Sequence, residues 1–155
     1  MVTSLRPVAE GDQASIKRWA GFAAGHMSRT HPLDAAADRH APVSGLYWYV
    51  IVHDDVDVGT VWVELPRGAG EAVLGVFLGD ATCLGKGIGT SAVELALAEF
   101  RDSHPDLPVT LRVRRSNARA IACYRRVGFS VASSGTKSLP SGEAVPYYWM
   151  VLPPC

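Results

Sequence analysis

Three glycines at alternate positions, Gly85, Gly87 and Gly89, stand directly ahead of an apolar stretch with helical spacing. The first turn of a helix leaves about four backbone N–H groups without partners and carries the positive end of the helix dipole. Stripped of side chains, such a mouth lets an anion, above all a diphosphate, touch the backbone itself. Lys86 adds a charge nearby. Whatever the rest of the chain does, a strand, this open loop and a helix must follow one another here.

The surrounding chain of 155 residues fits one compact domain, taken as residues 1–155. With 48% hydrophobic and 19% charged residues it has the material for a real core. Fifteen Lys and Arg against fifteen Asp and Glu leave no net charge, so no general basic field points to nucleic acid or an anionic membrane. Cys83, Cys123 and Cys155 are odd in number and lack CxxC spacing, which predicts neither a disulfide framework nor a zinc site, and no other metal is implied. The N-terminus lacks the apolar core of a secretory signal, and no apolar run approaches a membrane span. A soluble, cytoplasmic protein is expected.

Periodicity predicts the order of elements. "SLRPVA" reads as a short strand, and the stretch from about Asp12 to His26 has Ile16, Trp19, Ala20 and Ala23 at helical spacing. His31 to Ser44 reads as an ill-defined helix or loop, placed where a substrate-facing segment can vary. "LYWYVIVHDD" and "VGTVWVELP" predict an antiparallel pair, followed by a third strand, "EAVLGVFLGD", interrupted by Gly75. A glycine inside a strand marks a bulge or a close approach by another backbone or a ligand, or is merely tolerated. The helix from about Gly87 to Arg101 buries Val93, Ala96, Leu97 and Phe100. "VTLRVRR" is a strand, "SNARAIACYRRVGF" a helix stopped by Gly128, and "SVASSG" and "YYWMVL" close the chain as strands. An α+β domain with mixed strands and a few helices is expected.

Three phosphate-binding patterns compete for the glycines. A P-loop requires G-x-x-x-x-G-K-[ST], but Gly79 precedes Gly85 by one residue too many, and Gly87 replaces the hydroxyl that would hold Mg²⁺. Gly87 to Ala92 satisfies G-x-G-x-x-A of dinucleotide folds, with Asp106 downstream, yet that fingerprint opens a βαβ unit, whereas this one follows three antiparallel strands. The third pattern, Q/R-x-x-G-x-G/A, aligns as "LGKGIG" from Leu84 to Gly89, and resembles the loop of the GNAT N-acetyltransferases. Downstream, Asn117, Ala120, Tyr124, Gly128 and Phe129 resemble the same family's N-x-x-A-x-x-x-Y-x-x-x-G-F signature. Read as residues alone, the simpler reading makes Tyr124 a core aromatic, Asn117 a helix cap or first-turn residue and Gly128–Phe129 a helix stop. The resemblance runs from "LRPVAEGD" to "YYWMVL". In "FLGDATCLGKGIGT" it is closest to the branch containing the aminoglycoside 6′-N-acetyltransferases, which tolerates an apolar residue at Leu84.

The resemblance implies a mixed, mostly antiparallel central sheet of six to seven strands flanked by about four helices. It further implies an enzyme that moves an acetyl group from acetyl-coenzyme A directly to a primary amine of a small molecule, in a ternary complex. Leu84, Gly85, Lys86, Gly87, Ile88, Gly89 and Thr90 would hold the diphosphate; Val76, Phe77 and Leu78 would pair with the pantetheine amides. Asn117 and Ala120 would meet the pantetheine arm, and the Tyr124 hydroxyl would protonate the departing thiolate. Chemically this is sound, since a thiol with pKa about 8.5 is a fair leaving group. A homodimer is compatible with the family. Acetylation of a protein N-terminus or lysine, or a catalytically silent coenzyme A-binding module, are the alternatives. The base that takes the amine's proton is not identified: Glu64, Glu71, Asp80, His53 and a water chain are all candidates, and an acyl-cysteine route lacks a His partner for Cys123. In the aminoglycoside-modifying branch an Asp commonly stands five positions before the Asp of the "GD" turn. Here that position is Gly75, so the expected acceptor is an amine other than a typical aminoglycoside 6′-amine.

Overall fold

A computed structural model describes residues 2–23 and 45–155. Seven strands and three α-helices alternate along them: β1 (Thr3–Pro7), α1 (Gln13–Ala23), β2 (Leu46–His53), β3 (Val56–Glu64), β4 (Ala72–Leu78), α2 (Ile88–Ser103), β5 (Val109–Arg114), α3 (Ala118–Val127), β6 (Ser130–Ser138) and β7 (Ala144–Leu152). Every strand and helix expected within these residues is present. The expected segment from His31 to Ser44, and the end of the first helix at His26, lie outside the described residues. So does any fourth helix between α1 and β2.

All seven strands form one sheet in the order β1-β2-β3-β4-β5-β7-β6. The β2–β3 hairpin turns through Asp54 and Asp55 at φ 49° and 67°, the left-handed region in which Asp is among the better-tolerated side chains. Four of the remaining pairings are likewise antiparallel, and β4–β5 is parallel. That parallel ladder is short: Ala72 pairs with Val109 and Val73 with Thr110, and no later residue of β4 pairs with β5. The sheet therefore splits between its two central strands.

Each face of the sheet has its own apolar core. On one, Ile88, Ala92, Val93, Ala96 and Phe100 of α2 pack on Val61, Val63, Leu74, Leu111 and Met150, and Tyr124 of α3 joins them. On the other, Ile16 and Trp19 of α1 pack on Val50, Trp62 and Phe77. Full burial of one such side chain contributes about 1.5–3 kcal/mol. Strand alternation sends Leu74, Val76 and Leu78 to the α2 face and Gly75 and Phe77 to the α1 face. At Gly75 the pairing is regular, with Trp62 directly opposite, so this glycine marks no bulge. The close approach is by a side chain, the Trp62 ring, rather than by backbone.

Candidate active site

The split between β4 and β5 opens into a cleft of about 380 Å³ that crosses the sheet. Its walls include Leu74, Val76, Leu78, Val113 and Tyr124 from the α2 face, and Trp62, Gly75, Phe77 and Arg112 from the α1 face. All the expected cofactor-binding residues line it except Lys86, which is exposed beside it.

Backbone geometry sets the cleft's polar groups. The Ala72 N–H donates to Pro108 on the β5 side, and the Gly79 N–H donates to Val58 at the start of β3. Successive residues of a strand direct their backbone groups to opposite edges. Leu74 therefore gives its N–H to the last β5 pair, and beyond it the Leu74 carbonyl and the N–H and C=O of Val76 and Leu78 face the gap. The expectation of backbone pairing across Val76 to Leu78 narrows accordingly: Phe77 directs its backbone to β3 and offers the cleft its ring.

At the mouth of α2, Gly85 and Gly87 have φ of 75° and 77°, and Gly87 is the N-cap. The first helical bond runs from the Ser91 N–H to the Gly87 carbonyl at 3.0 Å. The N–H groups of Ile88, Gly89 and Thr90 precede it and open toward the cleft. A Cβ built on Gly85, Gly87 or Gly89 meets nothing within 4 Å, so the space over these amides is empty. The donor set and the open cradle fit a diphosphate.

Across from it, α3 begins at Asn117, whose side-chain oxygen accepts from the Ala120 N–H at 3.3 Å. Asn117 is thus a helix cap as well as a cleft residue, and the cap uses its carbonyl oxygen only. The helix ends at Gly128, φ 121°, in a Schellman pattern: Phe129 N–H to the Tyr124 carbonyl at 3.0 Å and Gly128 N–H to the Arg125 carbonyl at 3.1 Å. Its accompanying apolar contact is the Tyr124–Phe129 edge-to-face pair, centroids 5.9 Å apart. The helix stop and the cleft tyrosine are therefore one device. Burial drives the Tyr124 phenol well above its ordinary pKa, with Cys123 adding to the shift, so the phenol stays protonated and neutral.

Cys123 lies next to it on the cleft wall, where its sulfur accepts from the Thr90 hydroxyl at 3.2 Å. Burial raises its thiol pKa, the opposite of what a cysteine nucleophile requires. None of the candidate bases lines the cleft. Asp80 caps the turn after β4, accepting from the Thr82 N–H at 2.8 Å and from the Thr82 hydroxyl, which holds its carboxyl below the usual range. His53 is tied to the Thr3 hydroxyl at 2.8 Å on the outer edge of the sheet, Glu71 is exposed ahead of β4, and Glu64 ends β3.

The charged cleft residues Arg112, Arg119 and Arg126 escaped the sequence reading, as did the apolar Trp62, Leu74, Val113 and Ala122. The arginines of α3 show up in sequence only as one side of a charged helix. Arg112 sits in a strand whose alternation tells its face but not that this face borders a cleft.

A sheet parted between two parallel strands, with a side-chain-free helix mouth on one bank and a buried phenol on the other, defines an α+β ligand-binding fold. A family model described as an acetyltransferase (GNAT) domain matches residues 4–130, and the chain belongs to that family. Aminoglycoside N(6′)-acetyltransferase type 1 of Klebsiella pneumoniae is 36% identical over 88 residues, which are 56% of this chain and 42% of that protein. The match thus spans less than half the relative's length. A crystal structure of an aminoglycoside acetyltransferase in complex with coenzyme A and kanamycin superposes with TM-score 0.72 at 25% identity, over 98% of this chain and 95% of the other. An acetyltransferase of the same family from Streptococcus pneumoniae shares the fold at TM-score 0.77 and 16% identity, over 99% and 100% of the two chains. Among the described residues no helix is long and apolar enough to cross a membrane.

Proposed function

We propose that this chain transfers an acetyl group from acetyl-coenzyme A directly to the primary amine of a small molecule, with both substrates held in one ternary complex. The observation that carries the reading is the cleft that crosses the sheet, with the α2 amides on one face and Trp62, Phe77 and Arg112 on the other. Gly85 to Thr90 hold the diphosphate, and the exposed edge of β4 at Leu74, Val76 and Leu78 pairs with the pantetheine amides. A β4 N–H in the gap stabilises the oxyanion that develops on the thioester carbonyl. Tyr124 gives its proton to the sulfur as the C–S bond breaks. With no carboxylate of the described residues on the cleft wall, water removes the amine's proton, and proximity supplies much of the acceleration.

Coenzyme A at 100 times its dissociation constant stabilises a native protein by about 2.7 kcal/mol. A clear rise in the thermal midpoint with coenzyme A and acetyl-coenzyme A, and none with NAD or ATP, is expected. Release of free thiol from acetyl-coenzyme A in the presence of mixed amines then separates an enzyme from a silent binding module. No midpoint shift with saturating coenzyme A defeats the reading.

A further inference from the structure

The acceptor's half of the cleft has an unusual charge for a protein that handles an amine. An ideal Cβ on Gly75 would lie 2.1 Å from Trp62 Cζ2 and 2.3 Å from Cε2. The indole therefore fills the space any side chain at position 75 would need. No Asp or Glu among the described residues lines the cleft, while three arginines do. Arg119 and Arg126 belong to α3, on the α2 face of the sheet. Arg112 is on the α1 face, with Trp62, Gly75 and Phe77.

Arg112 is also held in a defined pose. Its guanidinium carbon lies 5.3 Å from the centroid of the Tyr147 ring and 5.0 Å from that of Trp149, both within cation–π range. Its Nε is buried and has no hydrogen-bond partner among the described residues. A buried donor left unpaired is costly unless a ligand brings the acceptor. A planar guanidinium lying over two aromatic faces at the cleft wall suits a carboxylate or phosphonate, and it repels a second cationic amine.

Resting on the acetyl-transfer reading above, we propose that the acceptor is a small amine bearing its own anionic group, a carboxylate or phosphonate as in an amino acid or aminophosphonate, and that Arg112 binds that group. Charge-assisted hydrogen bonds of this class change affinity by about 10- to 150-fold. The guanidinium anchors the anion while the amine is directed through the sheet toward the thioester.

The test compares matched acceptors: L-phenylalanine with phenethylamine, L-methionine with 3-(methylthio)propylamine, and 2-aminoethylphosphonate with ethylamine. Kanamycin, spermidine and an alanine-initiated peptide amide complete the set. The expected result is a kcat/KM at least about tenfold higher for the anionic member of a pair, carried mainly by KM and lost in Arg112→Gln. Whether carboxylate or phosphonate is preferred follows from the first two pairs against the third. Binding supplies a readout independent of turnover: with coenzyme A bound, N-acetyl-L-phenylalanine should bind at least about tenfold more tightly than N-acetylphenethylamine. Arg112→Gln should erase that difference and leave coenzyme A affinity intact. If the variant does not fold, the wild-type comparison decides alone. Equal or reversed preference, binding of neither product, or preference for kanamycin, spermidine or the peptide overturns the proposal. Failure to bind coenzyme A would instead sink the acetyl-transfer reading on which it rests.

Discussion

Tyr124, the proton donor proposed above, is held in its neutral form by its surroundings. Burial disfavours the phenolate, so the folded-state pKa stands above the ordinary value near 10. A raised pKa means that the associated stability is complete below about pH 10 and is lost as pH rises through the folded value. Across the physiological range the hydroxyl therefore keeps its proton, which is the form the proposed step needs. Tyr124→Phe preserves the ring, its contact with Phe129 and the Schellman turn. We therefore expect coenzyme A affinity to be retained while kcat falls, by up to the ~10²–10⁴-fold typical of acid–base groups and by less where the thiolate leaves unaided. Single-turnover kinetics in a chemistry-limited regime measure this. An unchanged rate would leave Tyr124 as packing.

At the scale of elements, the two junctions that frame the cleft are held by different physics. The β4-to-α2 junction relies on glycine for two reasons that substitution can separate. Gly85 and Gly87 sit at positive φ, where a β-branched residue is strained whatever else it touches. Gly89 lies within α2, outside that region, and a Cβ there meets empty space. Gly89→Val therefore tests ligand approach with little backbone strain. Coenzyme A should bind more weakly by tenfold or more, about 1.4 kcal/mol, with only a small change in the thermal midpoint of the free protein. Equal affinity by calorimetry would remove the helix mouth from the site. The β1-to-α1 junction relies on charge. Arg6 grips Asp12 through both carboxylate oxygens at 2.9 and 2.8 Å, and Asp57 at 2.8 Å. The Arg6 hydrogen bond chiefly holds the Asp12 pKa below its ordinary value. Stability from this pair is thus present above about pH 4 and lost as pH falls through the depressed value. Because Arg6 is partly exposed, Asp12→Asn should cost only about 1 kcal/mol at pH 7, or some 2–4 °C for a domain this size. Thermal scans at pH 7 and pH 2.5 should show that gap closing in acid.

For the whole molecule, local patterns were legible and long-range ones were not. The alternation of Leu46–His53 and Val56–Glu64, the glycine mouth and the Gly128–Phe129 stop are written within a few residues of where they act, so sequence alone predicts them. By contrast, Trp62 lies over Gly75 because of the β3–β4 register, which the loop between Leu65 and Glu71 does not reveal. Arg112 reaches the cleft only because β5 leaves β4 after two residue pairs. That same separation makes the sheet two segments, β1–β4 and β5–β7–β6, joined at Ala72–Val73 and Val109–Thr110. The β5-facing backbone groups of β4 beyond Leu74 lack the strand partner that protects an amide from exchange. If the pantetheine arm enters as proposed, it supplies that partner and ties the two segments together. The N–H groups of Val76 and Leu78 should then exchange with deuterium markedly more slowly when coenzyme A is bound, while Gly75 and Phe77, already paired with β3, should change little. The protection should alternate along β4, because only every second residue faces the gap. Uniform slowing along the strand would indicate general stabilisation by a ligand bound elsewhere. No slowing at Val76 and Leu78, with coenzyme A bound, would mean that the cofactor does not thread the split in the sheet.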